Sequence, residues 1–132
     1  MKTVLNVVVW GQHKLNSIMK TASFHNALQF NNDRITTSVV LETSFSKEIR
    51  ILLAKGQKMK EHKTPFPIVV HVLEGAIDFG VQGEIYSLEK GAIIALEGNI
   101  SHDLTALKDS VVRLSLSKLD TVKRVENVAK TS

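Results

Sequence analysis

PFPIVVHVLEGAIDFG, residues 65–80, decides the fold class. Ile68, Val69, Val70, Val72 and Leu73 make an almost unbroken apolar run, largely β-branched, that reads as a buried strand. Pro65 and Pro67 cannot donate to a central ladder, so the strand begins after them. Glu74 and Gly75 then turn the chain into AIDFGV, where Ile77, Phe79 and Val81 alternate with Ala76, Asp78 and Gly80. His71 interrupts the apolar run. Its imidazole is either a ligand in a site or a polar group partnered where two surfaces meet.

The same punctuation extends outward in both directions. Upstream, RITTSVVLE from Arg34 is rich in β-branched residues, and KEIRILLA carries Ile49, Ile51 and Leu53 on one face before stopping at Lys55 and Gly56. Downstream, Gln82 and Gly83 separate AIDFGV from EIYSLE, Lys90 and Gly91 lead into a buried AIIAL strand, and EGNIS precedes HDLTAL and SVVRLSL. Short strands at this spacing, with no room for a helix of ordinary length between Arg34 and Ser117, indicate an all-β sandwich or barrel.

The ends differ. Leu119, Val122, Val125 and Val128 recur every three residues with charges between them, the stripe of an amphipathic helix for which Ser117 offers an N-cap. At the other end, Val4 to Trp10 is too short to span a bilayer and lacks the cleavage pattern of a secretory leader. It reads instead as an extra strand, added or exchanged at a subunit interface, and Ser23 to Leu28 carries the signal of a short helix. MKT at Met1 recurs at Met19, which marks the first eighteen residues as an appendage. The chain thus divides into an arm over residues 1–33, a barrel over 34–117 and a helix over 118–132.

With 132 residues, 43% hydrophobic and 23% charged, the composition fits one globular domain. Zero cysteines excludes disulfides, thiolate zinc and a cysteine nucleophile, and agrees with a cytoplasmic location. The net charge of +4 raises the question of nucleic acid. The lysines are dispersed among acids except in KGQKMKEHK, from Lys55 to Lys63, and at Lys118, Lys123, Arg124 and Lys130. Aromatic residues are only 5% and are not interleaved with either cluster, so nothing offers a stacking platform or a recognition helix. Neither nucleic acid nor a membrane is therefore expected as a partner.

Two glycine-led motifs carry a family resemblance. Gly56 is followed by five residues and then His62, and the segment closes on Gly75 in VLEG; Gly91 is followed eleven residues later by His102. Between residues 45 and 117 the chain resembles the small single-domain cupins of the RmlC-like superfamily, which implies a double-stranded β-helix, or jelly-roll barrel. In that family two histidines and a glutamate of the first motif converge with a histidine of the second on a divalent metal. His62 matches the first ligand and His102 the last. The second histidine falls on Thr64 and the glutamate on Ile68, while Glu97 and Asn99 stand where the second motif has its proline and glycine. Two of the four ligands remain.

The resemblance leaves two functions open. One is a small-molecule binder without strong catalysis, its pocket lined by His62, Thr64, His102, Met59, Ile68, Val70, Phe79 and Leu104. The other is a metal-dependent enzyme of dioxygenase or isomerase type, in which His62, His102 and a substitute ligand hold Fe, Mn, Ni or Zn. Side chains alternate along a strand, so His71 could be that substitute only across a bulge; without one it faces away from Ile68 and Val70. It is expected to pack against another sheet or subunit, and apolar residues on both faces of PIVVHVL and AIIAL point to a homodimer. His13 and His25 read as surface residues. Glu61, Glu74, Glu97 and Asp78 form no spaced pair for acid/base chemistry, no serine triad is evident, and the glycines stand singly rather than as a phosphate loop.

Overall fold

The structure, a computed structural model, describes residues 18–118 and 122–132. The strand expected over Val4 to Trp10, His13 and Leu119 lie outside them. Among the described residues nine strands follow one another: β1 (Thr36–Glu42), β2 (Ser46–Leu53), β3 (Lys58–His62), β4 (Ile68–Glu74), β5 (Ala76–Val81), β6 (Glu84–Glu89), β7 (Ile93–Leu96), β8 (His102–Ala106) and β9 (Ser110–Ser117), and then a helix, α1 (Val122–Thr131). They pair into a five-stranded sheet in the order β1-β2-β9-β4-β7 and a four-stranded sheet in the order β3-β8-β5-β6, every pair antiparallel. Chain neighbours from β2 onward sit in opposite sheets at every step but β5/β6, so the chain winds around a common interior. That is the double-stranded β-helix.

Alternation decides what fills the interior. In β4, Ile68, Val70 and Val72 are buried while Val69, His71 and Leu73 are partly exposed. Ile49, Ile51 and Leu53 of β2, Ile77 and Phe79 of β5, and Val112, Leu114 and Leu116 of β9 join them in one cluster. β1 and β3 each form one edge of their sheet, and α1 touches both. It turns Val125 and Ala129 into the core, with Val128 packed against it. Ser132 Oγ accepts the Lys60 amide at 2.7 Å, which ties the end of α1 to the unpaired side of β3. No helix among the described residues is long and apolar enough to cross a membrane.

Three local expectations are corrected. The segment after Ser23 is a turn over residues 24–27, not a helix. Ala27 adopts a left-handed φ of 51°, and the carbonyls of Phe24 and Asn26 accept Arg50 Nη1 at 3.1 and 2.7 Å instead of continuing a helical ladder. Ser117 ends β9 rather than capping a helix, which starts at Val122. The AIIAL strand is not buried: β7 is the last strand of its sheet, and Ile93 is 59% exposed.

The outer face of the large sheet carries a polar network. Glu48 is 8% exposed and accepts Ser115 Oγ at 2.5 Å, Arg113 Nε at 2.8 Å and Ser46 Oγ at 2.9 Å. Burial pushes its carboxyl up, but these three donors outweigh that and hold it below the usual carboxylate range. A depressed folded value means that the network's contribution is present above the unfolded carboxylate range and is lost as pH falls through the folded value. Glu48→Gln should therefore lower stability at pH 7 by about 2 kcal/mol and flatten the acid limb of the pH profile. Urea midpoints at pH 7 and pH 3 check this; an equally steep acid limb in the variant would place the pH dependence elsewhere.

Candidate functional site

Between the sheets lies a small cavity of about 30 Å³. It is a narrow interior opening outward. His62, Thr64, His102, Met59, Ile68, Val70, Phe79 and Leu104, the eight residues expected from the motifs, all line it. So do Ile51, Val112, Leu114 and Leu116 of the large sheet and Val125 and Val128 of α1, which motif reading did not pick out. The signal for these six was present as strand alternation and helical stripe. What was missing was which strands face one another.

The two imidazoles meet because β3 and β8 pair. Lys58 lies opposite Thr105 and Met59 opposite Leu104; the register then shifts, and His62 lies opposite His102. In an unbroken strand Met59 and His62, three apart, would face opposite ways. The irregularity between them brings both to the interior. The ring centroids of His62 and His102 are 4.4 Å apart with planes at 62°, and Phe79 stacks on His102 at 5.5 Å and 16°.

Backbone carbonyls set the state of both rings. His62 Nδ1 lies 2.6 Å from Lys60 O, and His102 Nδ1 lies 2.9 Å from Ile100 O. A carbonyl oxygen only accepts, so each Nδ1 carries the hydrogen, and a neutral ring then has its lone pair on Nε2. Thr64 is buried, and its Oγ1 accepts the Phe66 amide at 3.2 Å. Its carbonyl accepts the Asn99 amide at 2.6 Å, which joins the loop after β3 to the loop after β7. Asn99 has φ of 64°, so it takes the left-handed turn position that glycine holds in the resembling motif.

The family's metal can be tested against these side chains. Ile68, at the position of the glutamate ligand, is an apolar part of the lining, and Thr64, at the second histidine, offers a hydroxyl. Among the described residues no group of three His, Cys, Asp or Glu side chains is placed to hold a metal ion. Catalytic centres of this kind take at least three protein ligands, so the described residues do not fit the family's metal.

His71 stands apart from the cavity. It pairs with Ile93 of β7 and Arg113 of β9 on the outer face, and its buried Nδ1 makes no hydrogen bond among the described residues. His25 is exposed and contacts Glu74 Oε2 at 3.2 Å; Lys90 Nζ reaches the other oxygen of Glu74 at 3.3 Å. Glu74 thus braces the turns around it.

Neither a protein-family model nor a curated protein matches the sequence. Solved structures do. An RmlC-like cupin from Desulfovibrio desulfuricans superposes with a TM-score of 0.69 at 22% identity, over 75% of this chain and 96% of that one. A protein of unknown function from Streptococcus pyogenes gives 0.66 at 18% identity, over 91% and 98%. KdgF from Halomonas sp. gives 0.63 at 21% identity, over 73% and 88%. Identities this low carry the fold and nothing finer. With two sheets wound as a double-stranded β-helix and both motif histidines inside, the chain has the fold of the small RmlC-like cupins.

Proposed function

We propose that the barrel binds a small molecule in its interior without a metal and without strong catalysis. The observation that carries this reading is the lining: eleven apolar side chains surround three polar ones, His62, Thr64 and His102, at one place in a cavity that opens outward. Ligand sites are typically concave and mostly apolar, with a few polar groups that fix orientation. Among the described residues no Asp, Glu, Lys or Arg lines the space, so the two imidazoles are its proton-handling groups. Among the described residues no carboxylate lines the cavity with them to complete an acid/base pair.

A second reading is a metal-dependent enzyme of dioxygenase or isomerase type using His62 and His102. One observation favours it: both rings anchor Nδ1–H on a backbone carbonyl, the way metal-ligating imidazoles are held. It needs a third ligand, which the described residues do not supply. Metal analysis and mass spectrometry of released small molecules, made on one preparation isolated without chelator, separate the two readings.

A further inference from the structure

The interior owes part of its small size to α1. A free volume of about 30 Å³ holds roughly one or two water molecules and nothing larger. Among the lining residues, Thr64 belongs to a loop and Val125 and Val128 to α1; all the others sit in strands of the two sheets, held by ladder hydrogen bonds. The helix is held differently. It rests on β1 and β3, one edge of each sheet, with Val125 and Ala129 buried and Val128 partly so. Ser132 Oγ, which accepts the Lys60 amide at 2.7 Å, ties its end to β3. A helix of ten residues has little stability of its own and keeps its form through the surface it packs on. An element with few buried apolar side chains opens at lower free energy than the core strands do.

We propose that α1 is a removable plug. It lifts off the seam between β1 and β3 as a unit while both sheets stay paired, and the uncovered seam leads into the interior. The space that Val125 and Val128 vacate is added to that interior, which lets the barrel receive a molecule larger than water. This goes beyond the binding reading: it concerns access, and its test uses no ligand, so the two fail separately.

The chain has no cysteine, so a single introduced thiol reports its own exposure. Three full-length variants place one: Val125→Cys on α1, Met59→Cys in the lining on β3, and Val72→Cys in β4, fully buried and outside the lining. A buried thiol reacts with dithionitrobenzoate only in an open form, so at pH 8 the rate reads the opening. Lifting α1 exposes little surface, so below about 1 M urea the Val125→Cys and Met59→Cys thiols should react at rates nearly independent of urea. They should also react at least about tenfold faster than the Val72→Cys thiol, whose rate should climb steeply with urea because it needs the whole barrel to unfold. Adding Ser132→Ala, which removes the tie to β3, should speed the first two about fivefold, the effect of one lost hydrogen bond. Equal rates and equal urea dependence at all three positions would mean that α1 leaves only when the barrel unfolds, and overturn the proposal. Fast reaction of Val125→Cys with Met59→Cys as slow as Val72→Cys also overturns it, because the seam then does not lead inside. Should a cysteine variant not fold, amide hydrogen exchange of the unaltered chain decides: α1 amides exchanging through an opening that urea barely affects, ahead of β2 and β9, support the plug, and exchange of α1 only together with those strands overturns it.

Discussion

Gly75→Ala should destabilise the barrel by about 3–4 kcal/mol, adding the strain of a left-handed alanine to the cost of overpacking. Gly75 closes the first motif with φ of +86°, between β4 and β5. A Cβ there would overlap Ser110 Oγ and come within 2.5 Å of Asp109 O and 2.8 Å of Ser110 Cα. Ser110 cannot move aside: it is fully buried, and its Oγ accepts the Ala76 amide at 3.1 Å. The comparison is Gly91→Ala, at φ of +95° with nothing within 4 Å of the added carbon, where only the strain of about 1–2 kcal/mol applies. Urea unfolding of both variants checks the account, and equal losses would remove the packing argument.

Phe79→Ala should cost about 3–5 kcal/mol. Phe79 is 1% exposed, lies opposite Leu104 of β8 and Tyr86 of β6, and stacks on His102. Its removal takes out a ring at the centre of the four-stranded sheet and leaves a hole that backbone pairing on both sides prevents from collapsing. Phe79→Leu, which keeps most of the volume, should cost about 1 kcal/mol. Denaturant midpoints of the two variants give the difference directly. A Phe79→Ala loss as small as that of Phe79→Leu would mean that the ring does not pack as described.

Period-two alternation made much of this fold legible in the sequence. The two faces of β4 separate as the pattern of Ile68, Val70 and Val72 against Val69, His71 and Leu73 indicates, because one face of the strand closes the interior. The motif spacing likewise brought His62 and His102 to one strand pair. Other features depend on information that spacing does not hold. The register shift in β3 reverses side-chain parity within three residues, and no residue type there announces it. The exposed face of β7 follows from its place at a sheet edge, which apolar composition cannot reveal. The turn after Ser23 depends on Arg50, more than twenty residues away, taking the carbonyls that a helix would have used. The cavity's α1 wall required knowing that β1 and β3 are the edges which the helix closes.

The contents of the protein as isolated test the central claim most directly. Chains purified without chelator should contain no stoichiometric Fe, Mn, Ni or Zn and should release a small organic molecule on denaturation. One equivalent of any of these metals per chain, removed by His62→Ala while the fold is kept, would contradict a metal-free binding barrel.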